Sequence, residues 1–158
     1  MNLKFLYLHL HGLIRSNSLE LGKDSDTGGQ TQYVLELVKS LANTSEVDQV
    51  DLVTRLIKDS KIDSSYSQWQ EFIAPGAQIL RFQFGPNKYL RKELLWPYLD
   101  ELTQNLIQHY QNYENKPSFI HAHYADAGYV GVRLSQALKV PFISVSYTHL
   151  TLPTNREV

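Results

Sequence analysis

The chain contains no cysteine among its 158 residues. That excludes a disulfide framework and a thiolate metal site. It also has no surplus of charge: 15 Lys and Arg stand against 16 Asp and Glu, for a net charge of −1. Nothing in that balance builds a surface for nucleic acid or for an anionic membrane. No apolar run is long enough to cross a bilayer. The nearest, Phe5-Leu6-Tyr7-Leu8-His9-Leu10-His11, is too short and is interrupted by histidines. It has no small-residue cleavage site after it, so it does not read as a secretion signal. These absences fit a cytoplasmic protein. No internal repeat and no low-complexity segment is present.

What remains is the composition of a soluble globular domain, 42% hydrophobic and 20% charged. The length suits one domain with a sizeable core. Residues 4–10 read as a buried strand bounded by Gly12, and 13–27 as a long polar loop. From about Gly28 to Leu41, apolar Val34, Leu37, Val38 and Leu41 recur at helical spacing. Asp26 or Thr27 is placed to cap that helix. Val50–Thr54 reads as a second strand, the Ser-rich segment 57–75 as a loop or insertion, and Gln78–Phe82 as a third strand. Gly85-Pro86-Asn87 is a turn. Lys92–Tyr113 has the spacing of a long helix; Pro97, early in it, suits the first turn of the main helix, with 90–95 as a separate short turn. A strand at 118–121, a helix at 125–138 and a strand at 141–144 complete the order. Strands alternating with helices predict an α/β fold: a Rossmann-like parallel sheet with flanking helices. Ligands bind such sheets beyond the carboxyl ends of the strands, where the strand order reverses. His11-Gly12 and His121-Ala122-His123 both fall at such ends.

Asp26-Thr27-Gly28-Gly29-Gln30 is the most informative stretch. It lies between the first strand and the first helix. Glycines let a backbone approach a ligand closely. Free N–H groups at the helix start, with the positive end of its dipole, favour a phosphate. The competing reading is a permissive turn before a helix.

Three stretches together resemble the sucrose-phosphate synthases: His11-Gly12-Leu13-Ile14-Arg15, Leu19 through Gln30, and His121-Ala122-His123-Tyr124-Ala125-Asp126-Ala127-Gly128. These are retaining glycosyltransferases of family 4, with two Rossmann domains (the GT-B type). The likeness runs through Val50–Arg55 and Lys92-Glu93-Leu94-Leu95-Trp96-Pro97 and covers most of residues 4–144. It implies transfer of glucose from UDP-glucose or ADP-glucose to fructose 6-phosphate, giving sucrose 6-phosphate. It places Gly28, Gly29 and Gln30 against acceptor and donor sugar, and Lys92 and Tyr124 on the acceptor's phosphate or hydroxyls. His11, Arg15 and His123 are secondary candidates, Arg15 for phosphate binding or loop ordering. Asp126 reads as a cap for its helix, and Trp96 as packing. No tightly bound cofactor is implied, and any magnesium requirement stays open. The partners implied are the small-molecule substrates and a second, C-terminal GT-B domain.

His9/His11 and His121/His123 are each spaced to place two imidazoles on one side of a strand. No carboxylate is evident to complete a metal site, so packed or hydrogen-bonding histidines are the preferred reading and no metal is assigned. After Ser144 the family would continue Gly-His-Ser-Leu-Gly. Instead, Val145 through Thr154 match the translation of a transposon-end sequencing adapter. We therefore expect 1–144 to be a partial, acceptor-side domain and 145–158 a non-native tail. The family's acceptor-site His-Ser pair would then be lost, leaving no catalytic residue here and an inactive, marginally stable fragment. A sucrose synthase using free fructose, another sugar-phosphate glycosyltransferase, and a non-catalytic carbohydrate- or nucleotide-binding module are the alternatives.

Overall fold

The computed structural model describes residues 2–145. Six strands form one sheet: β1 (Leu3–Leu8), β2 (Val47–Arg55), β3 (Gln70–Ala74), β4 (Ala77–Phe82), β5 (Phe119–His123) and β6 (Phe142–Val145). Their spatial order is β3-β4-β2-β1-β5-β6. All neighbours pair in parallel except β3 with β4. The chain builds outward from β1 in one direction through β2 and β4. It then returns to β1's other side for β5 and β6. The order therefore reverses between β1 and β5, which is where an open α/β sheet holds its ligand.

The helices cover both faces. α1 (Gly29–Ala42) buries Val34, Leu35 and Val38 against Tyr7, Val50, Leu52 and Ile79. On the opposite face lie α2 (Leu99–Tyr110) and α3 (Tyr124–Leu138). They bury Leu99, Leu102, Leu106, Val130 and Leu134 on Leu6, Leu8, Val53, Leu80 and Ile120. α3 sits close to β6 at Gly131, where an added Cβ would lie 2.5 Å from the Phe142 ring.

Three expectations are corrected. The segment 57–75 is not simply a loop: it holds a 3₁₀ turn at Ser64–Ser67 and the edge strand β3. Its polar Gln70 and Glu71 hide the strand, because an antiparallel edge needs to bury only part of its surface. Over Lys92–Tyr113 the separate short turn expected at 90–95 is the 3₁₀ turn Lys92–Leu94, but the main helix does not begin at Pro97: a second 3₁₀ turn, Trp96–Tyr98, precedes α2. Neither Asp26 nor Thr27 caps α1; Gly28 occupies the N-cap with no side-chain cap bond. β6 includes Val145, and the remainder of the expected tail lies outside the described residues.

Candidate active-site crevice

The loop between β1 and α1 is held by its own polar groups. Gly12 has φ +78, and a Cβ there would collide with the Asp26 carbonyl oxygen. Leu13 N–H donates to Thr27 Oγ1 at 2.9 Å, and Thr27 Oγ1 donates to Asp24. Asp24 also accepts from Asp26 N–H and from the Tyr89 hydroxyl at 3.0 Å. Burial, together with the Asp24 charge, pushes the Tyr89 phenol well above its ordinary value. Arg15 donates to the Ser18 carbonyl and to Ser65 Oγ, and lies over the Tyr66 ring. These contacts tie the loop to the 3₁₀ turn at Ser64–Ser67.

Asp26 and Lys92 meet across the mouth of this loop. The buried Asp26 carboxylate accepts Lys92 N–H at 2.7 Å and Lys92 Nζ at 2.8 Å. Glu93 lies 3.3 Å from the same ammonium. Burial drives the Asp26 carboxyl up, but the Lys92 bonds and charge outweigh it and hold it below the usual carboxylate range. The hydrogen bond to Asp26 raises Lys92, so it remains an ammonium at neutral pH. Lys92, expected on the acceptor's phosphate or hydroxyls, is half of an ion pair with Asp26. The segment carrying it is anchored in turn by Arg55, which donates to the carbonyls of Phe84, Pro86 and Lys88.

From β5 the chain turns sharply into α3. Tyr124 adopts φ +81, a left-handed conformation that is strained for an aromatic residue. Its ring meets His11 edge-on at 4.9 Å and lies beneath Lys92 Nζ at 5.9 Å. His11 Nδ1 is 2.9 Å from Asp126 Oδ2, and both residues are buried. Asp126 is therefore His11's partner. It sits inside the first turn of α3, while His123 holds the N-cap position. The sequence makes no carboxylate evident to complete a metal site, yet one does stand against His11. The signal was present: Asp126 stands one turn into the helix that follows a strand end, facing the neighbouring strand's end.

The His9 ring tilts against His11 at 5.2 Å, while His121 and His123 form a ring cluster with Tyr7. His121 stacks on His123 at 4.4 Å, and His123 stacks on Tyr7 at 5.6 Å. Burial, helped by His121, lowers His123 to about 3, and burial lowers His9 well below its ordinary value. Among the described residues, no three His, Asp or Glu are grouped to hold a metal ion.

The start of α1 faces open space. A Cβ at Gly28 or Gly29 would meet no protein atom within 4 Å, and neither glycine has positive φ. Gln30 Nε2 is buried without a protein partner. The first turn carries no acidic residue, and the N-cap supplies no side-chain acceptor. Such a helix start presents N–H donors to an anion or to sugar hydroxyls. His11 and Gly28 in the loop, Gly29 and Gln30 at the start of α1, Lys92 in its 3₁₀ turn and Tyr124 at the start of α3 thus gather over the carboxyl ends of β1 and β5, whereas Arg15 packs against Ser65 and Tyr66.

Among known proteins, the chain is 39% identical to sucrose-phosphate synthase 1 of Arabidopsis thaliana over 173 residues, with 92% of this chain and 17% of that protein covered. It is 40% identical to probable sucrose-phosphate synthase 1 of Oryza sativa subsp. japonica, covering 92% of this chain and 16% of that protein. The solved sucrose-phosphate synthase of Thermosynechococcus elongatus superimposes with a TM-score of 0.74 at 24% identity, over 91% of this chain and 33% of that one. The chain thus spans about a sixth of the length of the curated relatives it matches. A family profile described as the sucrose synthase first GT-B domain matches residues 2–151. With nearly the whole chain matched, the chain belongs to the family of sucrose synthase first GT-B domains.

Proposed function

We propose that this chain forms the acceptor side of a retaining glycosyltransferase cleft, which transfers glucose from UDP-glucose or ADP-glucose to fructose 6-phosphate. The observation that carries the reading is the open, uncapped start of α1: a Cβ at Gly28 or Gly29 would meet no protein atom, and the next residue, Gln30, buries an Nε2 that has no protein partner. A carboxamide there donates to a sugar hydroxyl, and two glycines admit a ring or phosphate against the backbone. The named relatives support the phosphorylated acceptor. Lys92 serves as a charge that Asp26 releases in part when the phosphate arrives, and Tyr124 lines the acceptor's other side.

Chemistry in such a cleft rests on holding donor carbon and acceptor hydroxyl together while stabilising an oxocarbenium-like sugar and a leaving diphosphate. A second nucleotide-gripping domain supplies the groups that act on the donor. The 158 residues alone therefore bind acceptor without turning it over, in the cytoplasm. The profile's own description favours one other reading, a sucrose synthase that uses free fructose.

The test assays a protein carrying this chain joined to its second domain, with either nucleotide sugar, against fructose 6-phosphate and fructose. Fructose 6-phosphate is the expected acceptor, and Gln30→Ala is expected to lower kcat/KM about 10- to 100-fold, the scale of one or two lost hydrogen bonds. Preference for free fructose selects the second reading. Turnover of neither acceptor overturns both.

A further inference from the structure

The α2 face of the sheet is apolar only in its upper half. Toward the amino ends of the strands it carries a polar row: Lys4 on β1, Gln49 and Asp51 on β2, Gln78 on β4 and Gln70 on β3. These residues floor a recess of about 230 Å³. Trp69 and His109 wall it, and Tyr110 closes it from the end of α2. Water fills liquid at roughly 30 Å³ per molecule, so the recess has room for about seven waters. That is the scale of a single sugar ring and below the usual range for larger ligands.

The row is organised rather than merely polar. The buried Asp51 carboxylate accepts from Gln49 Nε2 at 2.7 Å, Gln78 Nε2 at 2.8 Å and the Tyr110 hydroxyl at 2.8 Å. Gln78 Oε1 accepts from Gln70 Nε2 at 2.5 Å. Each carboxamide spends one N–H inside the row and keeps a second, while Asp51 Oδ2 keeps a lone pair. Paired N–H donors and an acceptor oxygen match the vicinal hydroxyls of a sugar. The half-exposed Trp69 ring, packed edge-on against Phe82 and His109, offers the flat apolar surface that a sugar's C–H face covers. An anion fits poorly. Asp51 and Glu114 line the recess, and the one lysine, Lys4, donates to the Glu114 carbonyl. Burial lowers His109, so that wall is uncharged at neutral pH.

We propose that this recess is a second binding site, at the opposite end of the sheet from the crevice, for an uncharged monosaccharide or similar polyhydroxy compound. It stands independently of the reaction proposed above, since none of its residues belongs to the crevice.

The chain's two tryptophans separate the alternatives, because Trp69 walls the recess and Trp96 lies beyond the other end of α2. Their indole N–H signals are followed by NMR on the intact protein during titration with glucose, fructose and fructose 6-phosphate. A neutral hexose is expected to shift the Trp69 signal saturably, with half-saturation at millimolar concentration and no change at Trp96. Gln70→Leu, on the exposed edge strand, is expected to weaken that binding about tenfold, the scale of one hydrogen bond. Gln49→Ala, on the row's other side, must weaken it as well. A linear, unsaturable shift overturns the proposal. So does a shift confined to Trp96, undiminished binding in both variants, or tighter binding of the phosphorylated sugar at Trp69.

Discussion

At Gly12 the protein itself forbids a side chain, since the backbone is left-handed and the Asp26 carbonyl fills the space. At Gly28 and Gly29 no protein atom does so. Gly12→Ala should therefore destabilise the fold by about 2 kcal/mol or more. Gly28→Ala should leave denaturant stability within about 1 kcal/mol while abolishing acceptor binding. Equal destabilisation by both would show that Gly28 is needed for folding and not for a ligand. The buried histidines set a pH dependence. His123 titrates at about 3 when folded, against 6.5 for an ordinary imidazole. The unfolded chain thus binds the proton first, and stability is complete above pH 6.5 and falls as pH drops toward 3. His9 shifts in the same direction. Each such group adds a slope of about 1.4 kcal/mol per pH unit. Urea melts at pH 7.5, 6 and 5 check this, and His9→Phe, if tolerated, should flatten the slope. The depressed Asp26 carboxyl acts lower: its contribution is present above about pH 4 and lost as pH falls through its folded value.

At the scale of elements, the segment 92–110 shows local pattern overruled. Leu95, Leu99, Leu102 and Leu106 recur as in one helix, yet the chain makes two 3₁₀ turns before α2. Pro97 disfavours α-helical geometry at Trp96 and removes an N–H. Asp26 also grips Lys92 at both its N–H and its ammonium, which pulls the turn toward the crevice. Spacing in the sequence revealed the apolar stripe, but not a tether to a residue 66 positions away. Within α2 the stripe carries its usual weight: Leu106, fully buried, should cost about 3 kcal/mol when replaced by alanine. A loss below about 1 kcal/mol in chemical denaturation would mean that α2 is not part of the cooperative core. β3 was hidden for the converse reason, since an edge strand with polar Gln70 and Glu71 has little apolar pattern to read.

For the whole molecule, both edges of the described sheet are open. Phe72 on β3 is 72% exposed and Ile143 on β6 is 49% exposed. Unpaired strand edges with apolar side chains template association. The isolated chain should therefore associate as concentration rises, which light scattering would detect, and Phe72→Lys should reduce it. A monomer with a sharp melt well above mesophilic temperatures would overturn this. The sequence by itself determined the alternation of strands and helices, the apolar faces and the Gly-Gly-Gln helix start, because these depend on residues within a few positions of each other. Only the tertiary structure decided that Asp26 neutralises Lys92, that Asp126 holds His11, and that polar residues from four strands floor one recess. Those contacts join residues far apart in the chain, and the strand order and register that align them leave no local periodicity to read.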